Sequence, residues 1–212
     1  MQFSDDMLDK HAAPDFSKLI SAHIPDLSPK TVGAELWPAR HLFVSTMDEL
    51  AGKTVRSPQK QFCANLLYRA RNAALAYSTG REKTLQCLAE PRGSASAVTA
   101  YFGALSEWEE VFSNVQKAFE IWQKGIGKGA PLFTKGDGSI HEKANAIVNA
   151  IKHDVALTSS TAVGPGLPMW LTNDGFQTVR SSMSWSELAE WVQDMIKSAD
   201  DLMTPLGELA SP

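Results

Sequence analysis

The segment Ser94-Ala-Ser-Ala-Val-Thr-Ala-Tyr-Phe-Gly-Ala-Leu-Ser-Glu-Trp-Glu-Glu-Val-Phe-Ser-Asn-Val-Gln-Lys-Ala-Phe-Glu-Ile-Trp-Gln-Lys124 decides the fold. Apolar residues recur along it at the spacing of one helix face. They are Val98, Phe102, Leu105, Trp108, Phe112, Val115, Phe119 and Trp122. A stripe of this length predicts a central helix and, with the segments on either side, a mainly α protein.

A long helix is also predicted before this segment. It begins at Ser57-Pro58, where serine is a good N-cap and proline suits the first helical position. Apolar residues at helical spacing continue to Tyr77. The Ser-Thr-Gly sequence at 78–80 predicts a kink or a stop, after which the helix resumes over 84–88.

Two capping boxes mark the beginnings of the two remaining main helices. Ser139-Ile-His-Glu142 opens a third helix, and Ser184-Trp-Ser-Glu187 opens a last helix that ends before Pro205. Between them, Met169–Thr172 and Phe176–Val179 predict the two strands of a β-hairpin. Its turn is Asn173-Asp-Gly175, residue types that supply positive φ angles. The sequence therefore predicts a bundle of about four long helices with one β-hairpin inserted before the last.

Residues 1–56 form a proline-rich N-terminal arm in this interpretation. Pro14, Pro25, Pro29 and Pro38 prevent long helices, so the arm is expected to pack on the body, with one short helix over His41–Leu50. Residues 57–212 are the helical body, and the whole chain is expected to be one compact domain because no linker divides it.

Composition excludes several classes of protein. The formal net charge of −4 argues against a dedicated binder of nucleic-acid phosphates. No apolar run is long enough to span a membrane, and the acidic N-terminus is unlike a signal peptide, so a cytoplasmic protein is expected. No Cys/His group has the spacing of a zinc site, and no metal or cofactor is expected.

The third helix carries the most informative polar residues, in Val148-Asn-Ala-Ile-Lys-His153. Because Asn149 and His153 are four residues apart, they lie on one helix face. Two interpretations stay open. A structural histidine would donate to a backbone carbonyl while the asparagine bridges two helices, whereas a functional pair would face a substrate or a partner.

A helical bundle whose third helix bears Asn-x-x-x-His resembles the HEPN superfamily over residues 57–204. That resemblance implies a homodimeric, all-α protein of prokaryotic defence or toxin systems. Active members of the superfamily are metal-independent ribonucleases that use Arg-x4-6-His. The Asn and His positions match here, but Val148 stands where the arginine is expected. Asn-x-x-Lys-His followed by Trp-Leu-Thr-Asn-Asp-Gly also resembles a group of uncharacterised bacterial proteins, which implies no function.

Two functions are therefore expected, in order of preference. The first is a HEPN-like binding or interaction module, dimeric and without its own turnover, that contacts RNA or a protein. The second is an endoribonuclease in which His153 and Asn149 act at the site. In that case Lys152, Arg69 or Arg71 would bind the substrate in place of the missing arginine. The acidic charge also fits an antitoxin-like protein with a basic partner.

Overall fold

The computed structural model describes residues 2–11, 13–31, 33–50, 57–125, 129–153 and 167–203. Within these residues the chain is mainly helical, as predicted. The helices are α1 (Asp5–His11), α2 (Ser28–Thr31), α3 (Trp37–Leu50), α4 (Ser57–Ala89), α5 (Ala95–Gly125), α6 (Ile140–Lys152) and α7 (Trp185–Met203), with 3-10 turns at Phe16–Lys18 and Ala34–Leu36. The strands are β1 (Trp170–Leu171), β2 (Gly175–Gln177) and β3 (Ser182–Ser184).

The antiparallel pair of α4 and α5 forms the centre of the bundle, and α5 matches the predicted central helix closely. Its stripe is buried around Trp108 and Phe112, which have no exposed surface. The ring of Trp108 packs edge-on against Tyr77 of α4 and against Phe176 of β2, with centroids 5.2 and 5.3 Å apart. The aromatic side chains of α5 therefore join the helical layer to the small sheet.

Helix α4 runs without a break, so the expected kink or stop at 78–80 is wrong. Gly80 serves another purpose, since a Cβ atom there would lie 3.0 Å from the indole of Trp108. The glycine lets the two helices approach closely. Thr84 sits one turn later and accepts a hydrogen bond from Trp108 Nε1 at 2.9 Å.

The predicted hairpin is present and pairs Leu171 with Phe176, but a third strand extends it. Only Gly175 of the turn has a positive φ, at 156°, so the predicted positive φ of Asn173 and Asp174 is wrong. A Cβ atom on Gly175 would lie 2.1 Å from the carbonyl oxygen of Met183 in the neighbouring strand. The glycine is therefore required by the third strand, which the sequence interpretation lacked.

Asn173 does not supply a positive φ angle to the turn; its side chain makes hydrogen bonds to a distant part of the chain. Its side-chain oxygen accepts hydrogen bonds from the backbone N–H groups of Ile20 and Ser21, at 2.9 and 3.0 Å. Its amide nitrogen donates to the carbonyl of Lys18 at 3.1 Å. The asparagine thus binds the N-terminal arm to the hairpin, close to where Phe16 of the arm packs on the ring of Tyr101.

Helix α3 begins at Trp37, four residues before the predicted start, because Pro38 in the first turn costs no hydrogen bond. It packs on α4 and on α7. Trp37 is its one buried side chain among those that the structure describes.

Candidate functional site

Helix α6 begins with the serine half of the predicted capping box, but its glutamate does not complete the reciprocal pair. Ser139 Oγ accepts a hydrogen bond from the backbone N–H of Glu142 at 3.2 Å. The carboxylate of Glu142 reaches further back than the usual box and accepts from the N–H groups of Gly138, at 2.8 Å, and Gly136. Asp137 accepts from Ser139 N at 2.9 Å. Both carboxylates therefore accept hydrogen bonds from backbone N–H groups of the preceding loop, and these bonds fix the start of α6 relative to that loop.

The orientation of α6 about its own axis determines which of its side chains face the core and which are exposed to another molecule. Ala144, Ile147 and Val148 face the core, and Val148 has 3% of its surface exposed. Asn149, Lys152 and His153 are exposed. The helix ends at Lys152, and the backbone N–H of His153 still donates to the carbonyl of Asn149 at 3.0 Å. The sequence also places Val155 on the apolar stripe of this helix, but Val155 lies outside the described residues.

Asn149 and His153 thus present their side chains on one exposed face, one helical turn apart. Among the described residues, neither side chain has a hydrogen-bond partner or an ion-pair partner. This placement differs from the structural interpretation, in which the imidazole would be buried and would donate to a backbone carbonyl. The face offers an amide and an imidazole to solvent.

Lys152 lies beside a carboxylate of α5. Burial acts to raise the pKa of Glu120, but this is outweighed by hydrogen bonds from Lys117 and Gln116 and by the charges of Lys117 and Lys152, and the pKa is lowered. Lys117 Nζ forms an ion pair with Glu120 at 2.7 Å. Glu120 is thus paired with Lys117, and Lys152 acts on it through its charge alone, without a described ion pair between the two side chains.

The two arginines proposed as substitutes for the missing motif arginine are engaged elsewhere. Arg69 Nη1 donates to Asn114 Oδ1 at 3.0 Å, and the fully buried Asn114 in turn donates to the Glu110 carboxylate at 2.7 Å. Arg71 Nη1 donates to Asn72 Oδ1 at 3.0 Å. Within the described part of the chain, no hydrogen bond or ion pair joins either arginine to the exposed face of α6.

The structure adds one titratable residue that the sequence analysis passed over. His141 Nδ1 accepts a hydrogen bond from the indole N–H of Trp191 in α7 at 3.1 Å. Its ring also stands edge-on to Phe119, with centroids 4.6 Å apart. The sequence spacing could have indicated this position, because His141 precedes Ala144 by three residues and Val148 by seven. It therefore lies on the same buried face of the helix.

Two concave surfaces among the described residues lie away from Asn149, Lys152 and His153. One is a cavity of about 150 Å³ between the N-terminal arm and the α4–α5 connection, bordered by Phe16, Cys87 and Arg92. The other is a broad groove of about 490 Å³ along Lys83 and Gly103. No group of three His, Cys, Asp or Glu side chains in the described ranges could hold a metal ion.

Comparison with known families, with characterised proteins and with solved structures finds no match to this chain. The HEPN resemblance therefore stays a prediction that rests on the residues of α6. None of the described helices combines the length and the apolar character that crossing a membrane requires.

Proposed function

We propose that this protein is a cytoplasmic, HEPN-like helical binding module that recognises RNA or a protein through the exposed face of α6, without turnover of its own. We define this face by Asn149, Lys152 and His153. The observation that supports the proposal best is the position of Val148, whose side chain is part of the hydrophobic core. A cation at that position would be buried, so this position of α6 supplies no equivalent of the arginine that ribonuclease chemistry in the superfamily uses.

The neighbouring charges support recognition over catalysis. Stabilising a phosphate in a transition state needs a cation that is held in place and free to bind it. Lys152 shares its surroundings with Glu120, Arg69 is bound to Asn114, and Arg71 is bound to Asn72. The exposed amide and imidazole still offer the donors and acceptors that specific recognition uses.

The resemblance also suggests the context. HEPN-like proteins without the complete motif would fit the non-cleaving component of a prokaryotic defence or toxin–antitoxin system, as a homodimer. The net charge of −4 fits a basic partner better than bare nucleic acid.

The experiment combines a cleavage assay with site-specific crosslinking. The purified protein is incubated with labelled single-stranded RNA in EDTA, and we expect the RNA to remain intact. A photo-crosslinking amino acid is placed at Asn149 and, as a matched control, at the exposed Gln177 of β2. In cells of the source organism, we expect a discrete adduct from position 149 and none from position 177. Equal labelling from both positions would contradict recognition through this face.

A metal-independent endoribonuclease is the second candidate. It is favoured by one observation, that Asn149 and His153 are both exposed on the same face where a substrate can reach them. In this case RNA cleavage would occur in EDTA and would be lost in His153→Ala, with the circular dichroism spectrum unchanged. That result would replace our first proposal.

A further inference from the structure

The cavity between the N-terminal arm and the connection from α4 to α5 has an apolar interior. Its volume is about 150 Å³, and its buried and partly buried lining residues are Phe16, Leu19, Cys87, Leu88 and Ala97. Burial raises the pKa of the Cys87 thiol to about 11, so the thiol is neutral and adds to the apolar wall. An apolar cavity of about 150 Å³ can hold one benzene molecule, so a group of about six carbon atoms fits in this space.

Two side chains of opposite charge, Glu90 and Arg92, also border the cavity. Glu90 Oε2 accepts a hydrogen bond from Ser96 Oγ at 2.7 Å, and within the described ranges the second carboxylate oxygen has no hydrogen bond. Arg92 is exposed, and its guanidinium makes no hydrogen bond or ion pair in the part of the chain that the structure describes. Both charges at the cavity are therefore available to a ligand that carries the two complementary charges.

The walls of the cavity are held in place without a ligand. On one side, the side chain of Asn173 makes three hydrogen bonds to the backbone of residues 18–21, which fixes the arm next to the cavity. On the other side, the backbone N–H of Phe3 donates to the carbonyl of Gly93 at 2.7 Å, which ties the α4–α5 connection to the start of the chain. A site that is already ordered binds a small molecule without the entropic cost of ordering its walls.

We propose that this cavity binds a free α-amino acid with an apolar side chain, such as leucine. In this complex the side chain of the ligand fills the apolar space, its carboxylate binds the guanidinium of Arg92, and its ammonium group binds the carboxylate of Glu90. The carboxylate of the ligand also gains from the positive end of α5, because Ala97 in the first turn of that helix borders the cavity.

The two charges and the volume together select this class of ligand. A carboxylic acid without an amine would leave Glu90 as an unpaired like charge beside it, and an amine without a carboxylate would leave Arg92 unpaired. The volume is below the roughly 300–1,000 Å³ of sites for larger ligands, so one small molecule is expected. The inference does not rest on the proposed function, because the cavity lies away from Asn149, Lys152 and His153.

An NMR titration of the full chain with L-leucine at pH 7 tests the site. For a ligand of about nine non-hydrogen atoms we expect a Kd of about 0.01–1 mM, with shifts of the amide signals of Leu19, Ile20 and Ala97. Three matched compounds should bind at least about tenfold more weakly: 4-methylpentanoate, which lacks the ammonium group, leucinamide, which lacks the carboxylate, and glycine, which lacks the side chain. No binding of leucine up to about 10 mM, or equal binding of any of the three compounds, overturns the proposal.

Two substitutions test the roles of the charged residues. Arg92→Gln should weaken the binding of leucine at least about tenfold, whereas Arg180→Gln, at an exposed arginine outside the cavity, should not change it. Glu90→Gln keeps an acceptor for Ser96 but loses the charge, so the protein should no longer prefer leucine to 4-methylpentanoate, whereas Glu82→Gln, at an exposed residue of α4, should keep the preference. Circular dichroism checks the fold of each variant. Normal binding of leucine by Arg92→Gln, or a full preference for leucine in Glu90→Gln, overturns the proposal.

Discussion

The hydrogen bond between His141 and Trp191 predicts a pH dependence of stability that a single substitution should remove. The indole N–H of Trp191, a residue that is 1% exposed, donates to His141 Nδ1. Nδ1 can accept only while it carries no proton, so the imidazole must be neutral with its proton on Nε2. Acidification adds a proton at Nδ1 and leaves two donors facing each other.

The sign follows from the surroundings of the imidazole. Burial lowers the pKa of His141 below its usual 6.5, although the charges of Asp194 on α7 and of Asp137 in the preceding loop act in the opposite direction. Above pH 6.5 the histidine is neutral in both the folded and the unfolded chain, and its contribution to stability is complete. As the pH falls below 6.5, the unfolded chain binds the proton first, and the free energy of unfolding falls until the folded-state pKa has been passed.

The magnitude follows from the hydrogen bond that is lost. Leaving a buried donor without a partner costs about 1–3 kcal/mol. At pH 5.5, one unit below the usual pKa of 6.5, proton binding to the unfolded chain limits the loss to about 1.4 kcal/mol. The total free energy of unfolding of a natural protein is about 5–15 kcal/mol, so the loss should be easily measured. With a urea m-value of about 2 kcal/mol/M, the midpoint of unfolding should fall by up to about 0.7 M between pH 7.5 and pH 5.5 through this histidine.

The assay is urea unfolding at pH 7.5 and pH 5.5 for the wild type and for His141→Gln. Glutamine keeps an acceptor for the indole N–H but cannot be protonated. His41→Gln is the matched control. Burial also lowers the pKa of His41, so this substitution removes a contribution to the pH dependence of the same sign but leaves the hydrogen bond between Trp191 and His141 in place. We expect His141→Gln to lose up to about 1.4 kcal/mol less than the wild type between pH 7.5 and pH 5.5. An equal loss in both proteins, or an NMR spectrum that shows a proton on Nδ1 of His141 at pH 7.5, would refute the reasoning.

Three further substitutions test other parts of the structure. Gly175→Ala places a Cβ atom against the carbonyl of Met183 and should lower the free energy of unfolding by at least about 2 kcal/mol in urea unfolding, whereas a change within ±0.5 would disprove the close approach. Asn173→Ala removes three hydrogen bonds to the N-terminal arm and should speed amide exchange there, while Asp174→Ala, whose side chain is exposed, should not. Val148→Arg should destabilise the protein by about 3–5 kcal/mol and should not create ribonuclease activity, because the arginine would be buried without a partner.

Sequence patterns that depend on neighbouring residues predicted the structure well. Both helices begin with the predicted serine cap, but only Ser184 and Glu187 form the reciprocal pair of a capping box, with Glu187 N to Ser184 Oγ at 3.2 Å and Ser184 N to Glu187 Oε2 at 2.8 Å. The apolar stripe of α5 lies in the core from Leu105 to Phe119 as expected, whereas Phe102 is 41% exposed. In each case the residues that determine the element lie within a few turns of one another.

Features that depend on a distant residue could not be found in the same way. Gly80 was interpreted as a helix breaker because its partner, Trp108, is 28 residues away on another helix. The third strand was missed because Ser182-Met-Ser184 is too short to show alternation, and its pairing with Gly175 depends on the fold. The interpretation of Asn173 was wrong for the same reason, since its hydrogen bonds reach back about 150 residues.

At the candidate site, the difference between features set by neighbouring residues and features set by distant residues bears on function. The spacing of Asn149 and His153 correctly predicted one shared face, but spacing alone could not place that face toward solvent or toward the core. Its exposure removes the reason for a purely structural pair, because a histidine kept for packing would be buried and hydrogen-bonded. The burial of Val148, about 100° around the same helix, removes the position from which a cation could assist catalysis. The proposal of a binding module rests on this combination: an amide and an imidazole that are exposed, unused by the described part of the fold and without a fixed cation beside them in that part.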